Sequence, residues 1–214
     1  MVAGRRRFQP HCRRGRLGGR RAEARHADHD RGLLRGQAPS RPRLRAELVS
    51  FLIRRPAARC VLLDNARRVF LIRSEDPIDP HKPEWLEIPG GGVGYGEDSA
   101  AACRRELYEE TGITDVEMGP CVWTQYVEYT FCGMRFESHE RIHVAWCDGG
   151  EYRPRGLEAL EAAAFIEAGW WTLDELLANN EPTVPARLRE FLPAVVAGDL
   201  GDPPIDISPD LPAV

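Results

Sequence analysis

The sequence predicts a single α/β domain built on a mixed sheet, and three observations carry that prediction. Its 214 residues are 43% hydrophobic and 29% charged, a globular balance with enough chain for one ordinary core. Short apolar runs and longer alternating runs, both strand patterns, are interspersed with helix-capping patterns. Strands and helices alternate irregularly rather than in strict pairs, which favours a mixed sheet over a wholly parallel one. There is no internal repeat, and no apolar run approaches the roughly 18 residues of a membrane span.

The formal charge of −4 divides into two unlike parts. Residues 1–45 carry fourteen arginines against Glu23, Asp28 and Asp30, a net +11, which leaves −15 for the rest. That leader is Arg/Gly-rich with no sustained period, so it is expected to be disordered. A nucleic-acid tail and a transit peptide compete with a third reading, coding sequence upstream of the functional start. Scarce serines and the lack of an amphipathic period argue against the transit peptide. The last is favoured because the leader shares the Arg, Ala, Gly and Pro bias of the chain without any folding pattern. A nucleic-acid partner is accordingly not expected, nor a membrane. The six cysteines form no Cys-x-x-Cys pair, so neither a disulfide framework nor a structural zinc site is expected. A reducing, cytoplasmic setting is the simpler expectation.

From residue 50 to 197 the pattern is that of a folded domain. Residues 60–64 (CVLLD) and 69–73 (VFLIR) read as strands joined by a tight turn. Three prolines between Asp76 and Pro83 make a loop. A glycine-rich stretch, EWLEIPGGGVGYGED, then leads into a helix that Asp98 or Ser99 can cap and that Gly112 stops. Ala100, Ala101, Ala102, Cys103 and Leu107 give it small and apolar faces. Residues 121–131 and 135–148 read as two long strands around Cys132-Gly133-Met134. Thr172 and Glu175 make a capping box, and PARLREFL (185–192) a last helix with proline in its first turn. Residues 198–214 are too rich in Pro, Gly and Asp for a regular element.

Two segments offer metal chemistry. His139-Glu140-Arg141-Ile142-His143 matches the zinc-protease pattern His-Glu-x-x-His, which needs both histidines on one helix face. Here Ile142, Val144 and Trp146 alternate as in a strand, where residues four apart are separated by roughly 13 Å. A zinc metalloprotease is therefore a remote alternative. The other segment, CRRELYEETGI, puts Glu106, Glu109 and Glu110 together at the negative end of the glycine-stopped helix. Like charges three and four apart repel, and the dipole there prefers cations. Hard carboxylate oxygens suit Mg²⁺ or Mn²⁺, and a divalent ion would reverse that repulsion. The upstream glycines permit close backbone approach to a ligand.

Gly91, Glu97 and Arg105-Glu106-Leu107-Tyr108-Glu109-Glu110-Thr111-Gly112-Ile113 fill all nine fixed positions of the 23-residue Nudix box. The chain thus resembles the Nudix hydrolase family, over roughly residues 55–195. Trp85 with Pro89-Gly90-Gly91 looks like the family's lead-in, and Trp170-Trp171-Thr172-Leu173 like a stretch near its C-terminal end. The resemblance implies a Nudix-like α/β/α sandwich and a divalent-metal-dependent hydrolase. The reaction would be attack of water on the diphosphate of a nucleoside diphosphate linked to another moiety. By the same resemblance Glu106, Glu109 and Glu110 would be metal ligands with one doubling as base, and the Gly91 carbonyl a further ligand. Arg105 would orient a glutamate, and Glu97 would be structural or outer-shell. Glu158 and Glu161 are candidates for a base on a later loop. Trp85 and Tyr129 are candidates for substrate binding, although alternating aromatics are more often core. The substrate is a small nucleotide-type molecule of unspecified leaving group, and homodimers are common among relatives. The competing reading is a catalytically idle Nudix-fold nucleotide-binding or regulatory module, against which the intact glutamates argue.

Overall fold

The apolar run at residues 60–64 proves to be the end of a longer strand, β1 (Leu52–Leu63), in the computed structural model, which describes residues 51–209. The Arg-rich leader lies outside the described residues, and so do residues 46–50 and 210–214. The first half of β1 escapes a hydropathy reading because it carries Arg54, Arg55 and Pro56. Asp64 then folds the expected turn: its Oδ1 accepts from the backbone N–H groups of Ala66 (2.9 Å) and Arg68 (2.8 Å). The chain re-enters the sheet as β2 (Val69–Ser74), with Leu63 opposite Val69.

After the proline loop come β3 (Trp85–Glu87) and β4 (Gly90–Gly92), then α1 (Ser99–Thr111). Asp98 caps α1 by accepting from Ala101 N–H at 2.8 Å, and Gly112 ends it in the left-handed region with its N–H donating to the Tyr108 carbonyl. The two long strands appear as β5 (Glu117–Phe131) and β6 (Met134–Trp146), joined by Cys132 and Gly133, both at positive φ as a two-residue hairpin turn requires. Beyond them lie α2 (Ala159–Ala164), β7 (Phe165–Trp171), α3 (Leu173–Ala178), β8 (Thr183–Val184), α4 (Leu188–Ala197) and β9 (Ile205–Asp206).

The strands order as β8-β3-β2-β1-β6-β5-β9, with β4 also on β1 and β7 also on β2. β1 runs parallel to β6, and β6 antiparallel to β5, so the sheet is mixed as expected. Strand alternation sorts β1 into two cores: Val61 and Leu63 pack with Leu176, Leu188 and Leu192 of α3 and α4, whereas Ala58, Cys60 and Leu62 pack with Ala102, Cys103 and Leu107 of α1. Helices thus cover both faces, giving an α/β/α sandwich.

Three expectations need correction. The last helix spans 188–197 rather than 185–192; Leu188, Leu192 and Val195 keep one buried face, and Pro193 sits within it without ending it. The stretch after residue 198 is not wholly irregular, because β9 lies parallel to β5 and Ile207 enters the core. Before the Trp-Trp stretch there is a helix, α2, and not only a loop.

Candidate active site

The acidic end of α1 meets the glycine strand and α2. Glu106 and Glu110 are both buried, and one oxygen from each lies within 4.8 Å of an oxygen of Glu161 and of each other, the one such metal-capable cluster among the described residues. Glu106 and Glu110 come together because positions four apart share a helix face. Glu110 is seated by the Gly90 N–H, which donates to its Oε2 at 2.8 Å. A Cβ at Gly91 would stand 2.6 Å from Glu106 Oε1, so the glycine leaves the carboxylate its present position. Glu161 is set by α2, whose Glu158 N–H donates to Glu161 Oε2 at 2.8 Å.

Glu109 takes a different place. Arg105 Nη1 donates to Glu106 Oε1 (2.8 Å) and to Glu109 Oε2 (3.0 Å), so it bridges the cluster to a more exposed carboxylate. Its other nitrogens hold Glu97 and the Gly92 carbonyl, and Glu97 also accepts from the Gly94 N–H. Arg105 is therefore the tie between glycine loop and helix. Of the two later glutamates, Glu161 joins the cluster while Glu158 stays exposed at the start of α2.

Burial dominates the electrostatics of the cluster, with mutual repulsion among the carboxylates beside it. Burial pushes the Glu106 carboxyl above its usual range, with Arg105 opposing. Burial pushes Glu110 well above it, with Glu87 and Glu106 adding to the effect, and Glu161 is raised chiefly by burial too. Glu97 is lowered, first by its hydrogen bonds from Arg105. Two buried carboxylates and a partly buried third, of which Arg105 reaches only Glu106, suit a hard divalent cation.

Beside the cluster opens a cavity of about 510 Å³, to which Glu110 and Glu161 contribute. Trp85 and Tyr129 both line it, as does Arg55, whose Nη2 donates weakly to the Tyr129 hydroxyl at 3.5 Å. A volume of that size suits a small ligand of nucleotide scale. Sequence reasoning missed the polar floor: Arg59 Nε and Gln125 Nε2 donate to Glu140 Oε2 at 3.1 and 2.7 Å, all three residues buried. The available signal was charge interrupting an apolar strand, as at Arg59 before CVLL.

That network also settles the histidine pattern. The segment 139–143 lies on β6, with His139 exposed against the Tyr126 ring and His143 tucked under α1, its Nε2 2.9 Å from Ser99 Oγ. Glu140 is engaged by Arg59 and Gln125. The zinc protease alternative is overturned by the strand.

Carboxylates clustered at a glycine-strand-to-helix junction, beside a cavity of nucleotide scale, suit a divalent cation and a phosphate-bearing ligand. A family model described as NUDIX domain matches residues 53–195, and the chain belongs to that family. It is 35% identical over 156 residues to the RNA pyrophosphohydrolase of Caulobacter vibrioides (strain NA1000 / CB15N), covering 69% of this chain and 86% of that protein. Similar solved structures include a MutT protein from Methanosarcina mazei Go1 (TM-score 0.48, 18% identity, 69% of this chain and 96% of that one). A C. elegans Ap4A hydrolase is another (TM-score 0.47, 19% identity, 67% and 98%). The protein is a Nudix pyrophosphohydrolase, a divalent-metal-dependent enzyme acting on nucleotide-type substrates. The idle-module reading is set aside. No helix among the described residues is long and apolar enough to cross a membrane.

Proposed function

We propose that the enzyme uses Mg²⁺, with Mn²⁺ as a substitute, held by Glu106, Glu110 and Glu161, to hydrolyse a small nucleoside-diphosphate-linked substrate. The observation that supports this is the carboxylate cluster, two of whose members, Glu110 and Glu161, line the cavity. The Gly91 carbonyl is a further candidate ligand, beside Glu106. When bound, such an ion neutralises charge on phosphate oxygens and makes water more acidic. Glu106, Glu110 and Glu161 hold the ion's position, and one of them, or Glu109 beside them, takes the proton from the attacking water. Arg105 keeps Glu106 and Glu109 in place. Trp85 and Tyr129 flank the moiety attached to the diphosphate.

The RNA named for the Caulobacter relative is a second substrate reading. The net −15 of residues 46–214 weighs against it, because polynucleotide binding rests on phosphate neutralisation. A homodimer is compatible with the family, and its test is light scattering at two concentrations. Residues 50–197, extended by the segment that carries Ile207, form the catalytic domain, and the leader contributes nothing to it; a chain starting near Ala46 keeps full turnover. The experiment is a panel of nucleoside triphosphates, ADP-ribose, diadenosine compounds and 5′-triphosphorylated RNA, assayed with Mg²⁺, Mn²⁺ and Zn²⁺. Turnover of a small substrate with Mg²⁺, abolished in Glu106→Gln, is expected. Preference for the RNA would establish the second reading, and failure on every diphosphate would end both.

A further inference from the structure

The substrate cavity has an end wall made by two segments remote in sequence. Strand register places Gly91 level with Thr124, since both face the β1–β6 pair Ala58 and Arg141. Phe131 ends β5, seven residues beyond Thr124. There it meets Trp85 edge to face, ring centroids 6.3 Å apart. Both rings line the cavity.

Nothing covalent joins the two segments. Lys82, the chain's one lysine, ties them: its Nζ donates to Asp76 Oδ2 at 2.7 Å on its own loop and to the Thr130 carbonyl at 2.6 Å on β5. Asp76, whose side chain is 1% exposed, also accepts from the Cys132 N–H at 3.3 Å. A buried carboxylate serving both strands of contact makes this more than a surface ion pair. Trp85 Nε1 is buried and has no hydrogen-bond partner among the described residues, so the ring is placed by packing and by its strand. Lys82 itself lines the cavity beside Trp85, Thr130 and Phe131.

We propose that Trp85 and Phe131, clasped by Lys82 and Asp76, are the specificity-determining wall that limits the length of the moiety carried on the scissile diphosphate. The inference rests on the proposed carboxylate site as the place of cleavage. Compact nucleoside-diphosphate compounds end short of the wall, and two-nucleoside compounds run against it. Phe131→Ala removes the wall directly, and Lys82→Met loosens it while keeping the aliphatic stem.

The test compares kcat/KM for ADP-ribose and diadenosine tetraphosphate in wild type, Phe131→Ala and Lys82→Met, with melting temperature as the folding control. The ratio of long to compact substrate rises about tenfold in both variants, the scale set by opening a hydrophobic pocket. Dissociation constants of the methylene-bridged analogues of both compounds, measured by calorimetry, shift in the same direction. An unchanged ratio in folded Phe131→Ala, by rate and by binding, overturns the wall. Wild type that binds the analogues but cleaves neither substrate contradicts the proposed function alone, and the binding ratio still decides the wall.

Discussion

Glu110 shows how a residue can be costly by itself and valuable in company. Its folded-state pKa is raised well above the usual 4.5, so the native protein holds a proton that the unfolded chain releases. That group favours folding below about pH 4.5 and loses its contribution as pH rises through the folded value. Asp76 and Glu97 are shifted down and act in the opposite direction, so the informative quantity is a difference. Metal-free Glu110→Gln therefore melts higher than wild type at pH 7, and the gap closes toward pH 4. Mg²⁺ at a hundredfold excess over Kd raises the wild-type melting point by roughly 5–10 °C, and raises the variant's less. Gly91→Ala checks the neighbouring contact. Its Cβ meets the flexible end of Glu106, so Mg²⁺ affinity falls about tenfold or more while the metal-free melting point moves little.

The same scale shows what the sequence could reveal of the site. Glu106 and Arg105 were legible because a fixed spacing encodes them. Glu109 sits outside the carboxylate cluster and Glu161 inside it, because side-chain placement at a helix end depends on what packs there. Arg59, Gln125 and Glu140 were missed: the charge at Arg59 beside an apolar run is a local signal, but its partners on two other strands have no sequence pattern, and the five letters around Glu140 pointed to other chemistry.

Among the elements, α1 carries the most responsibility, since its register places two of the three carboxylates. Asp98→Ala removes the hydrogen bond that starts it and costs about 1 kcal/mol, measurable by urea denaturation, with Mg²⁺ affinity nearly retained because Glu106 and Glu110 sit at the far end. Elements with a period or a cap were foreseen, namely α1, α3, β5 and β6. The short strands β3, β4, β8 and β9 were not, because two or three residues show no period and owe their form to neighbours. The second half of α4 was masked by Pro193, whose missing N–H weakens a helix without cancelling the buried face at Leu188, Leu192 and Val195.

At the scale of the molecule, the sheet brings together parts that the sequence kept apart. Leu52–Leu63 lies between β6 and the glycine strand, so Glu110 and Glu161 of the carboxylate cluster, the Arg59–Gln125–Glu140 network and the rings of Trp85 and Phe131 line one cleft. The stretch after α4 belongs to this body: Ile207 is fully buried, and its N–H donates to the Thr124 carbonyl at 2.8 Å. Ile207→Ala costs about 2–4 kcal/mol in equilibrium unfolding, whereas a dispensable tail would cost nothing.

The central claim is that the metal centre is shared between α1 and α2, with Glu161 as a full member. Calorimetric titration of Mg²⁺ into wild type, Glu161→Gln and Glu158→Gln tests it most directly. The structure predicts binding at least about tenfold weaker in Glu161→Gln and unchanged in Glu158→Gln. Wild-type affinity in Glu161→Gln, with the loss appearing in Glu109→Gln instead, would contradict it.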